Sequence, residues 1–228
     1  MKLKKYYNYP PHKVCCFVGY VSDYNYNNSD NNPMIQNIVD EIYRQYFYCN
    51  DISYILVNGP NPFSLIVFKA IEKFKKEFDC KIAIKAIAFI SFRKSLNLSL
   101  AEKTYMQELY DMADEIHIID DMENDDDLIV EKTMIDNSCT LIAHNPTHAN
   151  SSINQCIEYA KDNQKQLIEK DFAPYHTYRI TIANSTTYIK AKSQTDAEKK
   201  AISIFYERNK PDIKTEIDDN ATPETTLL

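Results

Sequence analysis

The residues of this chain with the clearest chemical potential lie between Cys139 and Ala160, CTLIAHNPTHANSSINQCIEYA. The pattern is a short apolar strand, a polar loop that starts at His144 and Asn145, and a helix opened by Asn150, Ser151 and Ser152. Such a helix start offers unpaired N–H groups and a partial positive charge. The chemistry it favours is the binding of an anion such as a phosphate. Two further loops are expected to reach the same rim: Gly19-Tyr20, and Asn58-Gly59 with Asn61. The chain has only two glycines, and both fall at these points, each just past an apolar run. Gly and Asn are also default turn residues and need no ligand to explain them. Their shared place at the carboxyl ends of adjacent strands is what makes them a candidate site. Asn150, Ser151 and Ser152 read equally well as helix caps, and a capped helix still presents its N–H groups.

Other constellations carry less. His144 and His148 with Cys139 and Cys156 match no standard zinc spacing, and the cysteines fall in apolar segments. The acidic run Asp120 to Asp127 lacks the central glycine and terminal glutamate of a calcium loop, and reads as a solvated lead into a helix. Tyr20, Tyr24 and Tyr26 lie in a loop over the expected rim, where a base or ribose could stack. No nucleophile–base pair stands out: Cys15 and Cys16 sit inside a strand, and no G-x-S-x-G is present.

The elements that must position these loops alternate along the chain. Residues 1–13 form a basic, tyrosine-rich arm. Val14 to Val18, Tyr54 to Val57, Ile82 to Ile90, Glu115 to Ile119 and Thr140 to Ala143 read as strands, several apolar enough to be buried on both faces. Helical spacing follows each of them. Asn32-Pro33 opens the first helix, Phe63 to Phe78 mark the second, and Ser99 caps a helix over Leu100 to Met112. A fourth is expected from about Asp127 to Asn137, and a fifth ends near Lys165. Alternation of this kind predicts an α/β fold, a doubly wound, mostly parallel sheet over residues 14–170. Residues 175–209 predict a small β-β-α appendage, with a hairpin around Asn184-Ser185 and a helix from about Thr195 to Arg208. Residues 210–228 are polar and acidic and are expected to be disordered.

The order of features from Val14 to Ile168 resembles the SLOG superfamily, the Rossmann-like group of the YpsA-type proteins and phosphoribohydrolases. The residues that carry it are CCFVGY, ILVNGPNPFSLIVFKAI, MADEIHII, KTMIDNSCTLIA and NSSINQCIEYAK. Val130-Glu131 stands where that family has an Arg-Asn pair, and Ser151-Ser152-Ile153 where it has Gly-Gly-Thr. The segment YRITIANSTTYIKAKSQTDAEKKA resembles, more weakly, the DpnD-type β-β-α module of mobile-element proteins.

The resemblance implies a Rossmann-like domain that senses or sequesters a nucleotide or nucleotide-derived ligand. The alternatives are a hydrolase of nucleotides or N-glycosidic bonds, and an oligomeric interaction module without a ligand. The expected binding residues are Gly19, Tyr20, Asn58, Gly59, Asn61, His144, Asn145, Asn150, Ser151 and Ser152, with no metal or other cofactor. A formal net charge of −7 argues against duplex nucleic acid as a partner. No apolar run is long enough for a membrane span, and MKLKKYYNYPPHK lacks a signal-peptide core, so a cytoplasmic protein is expected. Tyrosine-rich helix faces at Tyr43, Tyr46 and Tyr48 point to a homodimer.

Overall fold

A computed structural model of the chain describes residues 9–21, 32–78, 83–122, 126–145, 150–173, 176–182, 185–191, 197–201 and 213–217. Two units are present, Met1–Phe172 and Ala173–Leu228.

The first unit is built on a six-stranded parallel sheet in the order β4-β3-β2-β1-β5-β6. Its strands are β1 (Val14–Gly19), β2 (Tyr54–Gly59), β3 (Lys85–Ser91), β4 (Glu115–Ile119), β5 (Thr140–His144) and β6 (Gln166–Glu169). The sixth was not expected. QLIE is a four-residue edge strand, only half-buried at its centre, so its sequence lacks the apolar run that marks the others. The first strand pairs in parallel with β2 on one side and with β5 on the other. Chain direction across the sheet therefore reverses at the β1/β5 seam, the position where ligands bind in open α/β sheets. The expected doubly wound, Rossmann-like α/β fold is what the structure shows.

The helices are α1 (Pro33–Arg44), α2 (Pro62–Glu77), α3 (Phe92–Ser95), α4 (Leu100–Met112), α5 (Ile129–Asp136) and α6 (Ser151–Asp162). Their starts follow local chemistry. Asn32 accepts from Met34 N–H at 3.0 Å, with Pro33 as the first helical residue. Ser99 and Glu102 form a reciprocal capping box. Helix α1 runs on into a π-helical turn, Gln45–Cys49.

Alternate residues of each strand face opposite sides of the sheet. Val14, Cys16 and Val18 join a core with Leu56, Ile87, Phe89, Met134, Ile135, Ile153, Cys156 and Ile157, so α5 and α6 cover one face. Cys15 and Phe17 point to the other, where α2 packs on β1 and β2 between α1 and α4. Burial raises the thiols of Cys16 and Cys156, each to about 12, which makes them inert packing groups. The end of the N-terminal arm lies on the body: the Tyr9 ring packs against Tyr54 at a tilt, and its hydroxyl bonds to Glu115 and His117.

In the second unit β7 (His176–Ile182) and β8 (Ser185–Ala191) form the expected antiparallel hairpin. Residues 197–201 are helical, and Ala197 and Ala201 pack with Ile180, Ile189 and Ala191. The structure then adds a strand inside the stretch expected to be a disordered tail. This is β9 (Ile213–Ile217), antiparallel to β7 on the side away from β8. Its IKTEI alternates with period two, a pattern the acidic composition around it concealed. The remaining tail residues, and most of the expected 195–208 helix, lie outside the described residues.

Candidate functional site

The carboxyl ends of β1 and β2 and the first turns of α2, α5 and α6 line a cavity of about 250 Å³. A smaller, more enclosed recess of about 40 Å³ shares Gly19, Asn61, Glu131 and Ile153 with it. Gly19, Tyr20, Val21, Asn61, Pro62, Glu131, Asn150, Ser152 and Ile153 line the outer cavity. Phe17, Val18, Gly19, Asn58, Asn61, Phe63, Ser64, Glu131 and Ile153 line the recess. By the same measure a single water needs roughly 10–15 Å³, so the recess takes a small functional group and the outer cavity a larger one.

Each wall has a local reason. Asn61 caps α2, accepting from Ser64 N–H at 3.0 Å and donating from Nδ2 to Asn58 O at 2.9 Å. Ser64 Oγ donates to the same carbonyl. Asn150 caps α6, accepting from Ile153 N–H at 3.0 Å. Tyr20 N–H donates to His144 O at 3.4 Å and so ties the ends of β1 and β5 together.

Glu131 closes the floor. It lies in the first turn of α5, is only 9% exposed, and its Oε1 accepts from Asn58 Nδ2. Its Oε2 is buried and has no hydrogen-bond partner among the described residues. Burial pushes this carboxyl above the ordinary glutamate range. Its own backbone N–H, the charge of Lys94 and the Asn58 bond oppose that shift, and Asp126 adds to it.

Six of the ten expected residues meet here: Gly19, Tyr20, Asn58, Asn61, Asn150 and Ser152. Four do not line the cavity. Gly59 is buried beneath α4, where a Cβ would come within 2.3 Å of Leu109 Cδ1. It ends β2 against a helix and does not line the cavity. His144 is a core side chain: its ring stacks on Phe63 at 5.4 Å, and its Nδ1 accepts from Phe172 N–H at 3.2 Å. Asn145 is a clamp inside its loop, donating to Asn154 Oδ1 at 2.8 Å and accepting from Asn150 N–H at 3.4 Å. Ser151 is exposed on the first turn of α6, outside the cavity. Tyr24, Tyr26 and His148 lie outside the described residues.

No family model matches this chain, and no curated protein matches it. Its chemistry is therefore read from its own geometry.

Sequence reasoning passed over Glu131, although a signal was there. Leu128, Glu131, Met134 and Ile135 share the inward spacing of one helix face, and all four are buried. A charge on an apolar stripe breaks the local rule, and such breaks concentrate at functional sites. Among the described residues no group of three or more His, Cys, Asp or Glu is placed to hold a metal ion. No helix there is long and apolar enough to cross a membrane.

Proposed function

We propose that this chain binds a nucleotide-derived small molecule of the kind handled by the SLOG superfamily, in the cleft at the β1/β5 seam. Glu131 carries the reading: a buried carboxylate oxygen with no partner among the described residues, lining a cavity where strand order across the sheet reverses. A polar atom in that state costs about 1–3 kcal/mol, and a ligand that satisfies it recovers the loss. The α6 N-terminus beside Ser152 adds N–H groups suited to a phosphate. Thermal shift and isothermal titration with adenine nucleotides, ADP-ribose and cyclic nucleotides test this. At least one is expected to raise the melting midpoint, and no response to any of them at millimolar concentration would remove the proposal.

Glu131 also favours a second reading, hydrolysis of an N-glycosidic bond. A carboxyl with a raised pKa beside a recess large enough to hold water suits general acid–base chemistry. Release of free base from nucleoside monophosphates, abolished by Glu131→Gln, would put this reading first.

The aromatic cluster supports self-association as well. Tyr43 packs against Phe47, Tyr48 and Phe78, and those three remain exposed. A homodimer through this face should appear by light scattering, and a mass that stays monomeric at high micromolar concentration would end it.

A further inference from the structure

The polar groups around the recess are not equally occupied. Asn61 Nδ2 and Ser64 Oγ donate to Asn58 O, Ser64 N–H donates to Asn61 Oδ1, and Asn58 Nδ2 donates to Glu131 Oε1. Glu131 Oε2 is a buried acceptor with no hydrogen-bond partner among the described residues. A carboxylate oxygen accepts hydrogen bonds, and against a phosphate it sets like charge on like charge in a poorly solvated place. The outer cavity has the opposite character. Asn150 and Ser152 belong to the start of α6, a twelve-residue helix whose N-terminus favours an anion. Val21, Pro62 and Ile153 add apolar lining to the same cavity, suited to a ring.

The cleft therefore has a direction. We infer that the ligand enters donor first: a nucleoside N–H or O–H bonds to Glu131 Oε2, while any phosphate stays outermost at α6. This rests on the nucleotide reading above and adds which end of the molecule the protein buries. It also separates the site from arrangements that bury the phosphate at the strand ends, because here a carboxylate occupies that place.

Glu131→Gln tests the orientation without changing shape. The Asn58 amide donates to Oε1, so the glutamine oxygen takes that position. Its NH₂ then replaces Oε2, and the group left for the ligand changes from acceptor to donor. Isothermal titration with the common ribonucleosides, their 5′-monophosphates and inorganic phosphate reads the outcome. The variant is expected to weaken nucleosides and monophosphates by about tenfold or more, as loss of a buried bond to a charged group requires. Inorganic phosphate should bind as before, which also reports an intact α6. Free adenine and ribose 5-phosphate identify the donor: loss with the first assigns the base N–H, loss with the second the sugar O–H, and either upholds the inference. Tighter binding of monophosphates by the variant, with nucleosides unchanged, would place the phosphate on the floor and overturn it. So would ligand binding that does not respond to the substitution. No binding of any nucleoside or nucleotide to the unmodified protein would overturn the nucleotide reading together with it.

Discussion

Phe63→Ala is expected to destabilise the first unit by about 3–5 kcal/mol, the range for emptying a buried phenylalanine site. The ring is 1% exposed and lies at the start of α2, with the carboxyl end of β1 on one side and the His144 ring on the other. His144 in turn contacts Phe172, so removing Phe63 loosens a chain of rings beside the cleft. The same ring explains Gly19. A Cβ there would meet three Phe63 ring atoms at 2.6–2.7 Å, so this glycine is required by packing; neither glycine of the chain has a positive φ. Gly19→Ala should therefore cost about 1–3 kcal/mol by overpacking. Combined with Phe63→Leu its cost should shrink, because the smaller side chain vacates the contested space. Urea unfolding of the single and double variants measures both terms. Strict additivity would show that Gly19 does not answer to Phe63.

The second expected result is a gain of stability from losing the charge at the cleft. Glu131→Gln should raise stability by about 1 kcal/mol near pH 8, because a neutral unpaired amide is less costly to bury than an unpaired charge, and the difference should vanish at about pH 4 and below. Burial raises the carboxyl of Glu131 in the folded chain, so the folded state favours the protonated form more than the unfolded state does. That preference is fully present below the unfolded pKa and is lost as pH rises through the folded one. Above that point the native protein holds a desolvated charge, one of whose oxygens has no hydrogen-bond partner among the described residues. Neighbours modify the size and not the sign: Lys94 eases the charge, Asp126 aggravates it, and Glu131 in turn helps raise Cys156. Thermal unfolding of both proteins across this pH range is the measurement. A variant less stable than the parent near pH 8 would show that the carboxylate is satisfied in the folded chain.

Much of the fold was readable because local signals agreed with global ones. VCCFV, YILV and the Phe63 to Phe78 stripe carry their periods openly, and Asn32-Pro33 and Ser99 cap the helices they precede. The misreadings share a cause: each depended on a partner distant in sequence. Gly59 looked like a turn because Leu109, which it touches, arrives from another helix. His144 looked like a rim residue because Phe63 and Phe172, which enclose it, are remote in the chain. Glu131 resembled an ordinary acid in a helix's first turn, where acids are favourable. Only the approach of Asn58 from β2 shows it to be buried. Two edge strands, β6 and β9, were too short and too polar to declare themselves before their neighbours were placed.

The place of β1 in the sheet also sets an order of events during synthesis. A nascent chain emerges N-terminus first, and β1 can pair with Tyr54–Gly59 early, then gain β3 and β4 beyond it. Its other edge, Cys15 to Gly19, waits for Thr140 to His144. Until those residues leave the ribosome, a strand buried along almost its whole length carries an open edge, the form most prone to pairing with the wrong chain. Arrival of β5 closes that edge and, in the same step, brings Asn150 and Ser152 opposite Gly19. The cleft is thus complete only once β5 and α6 have arrived, with β6 still to follow, and a ligand bound there marks a chain whose β1 edge is already closed.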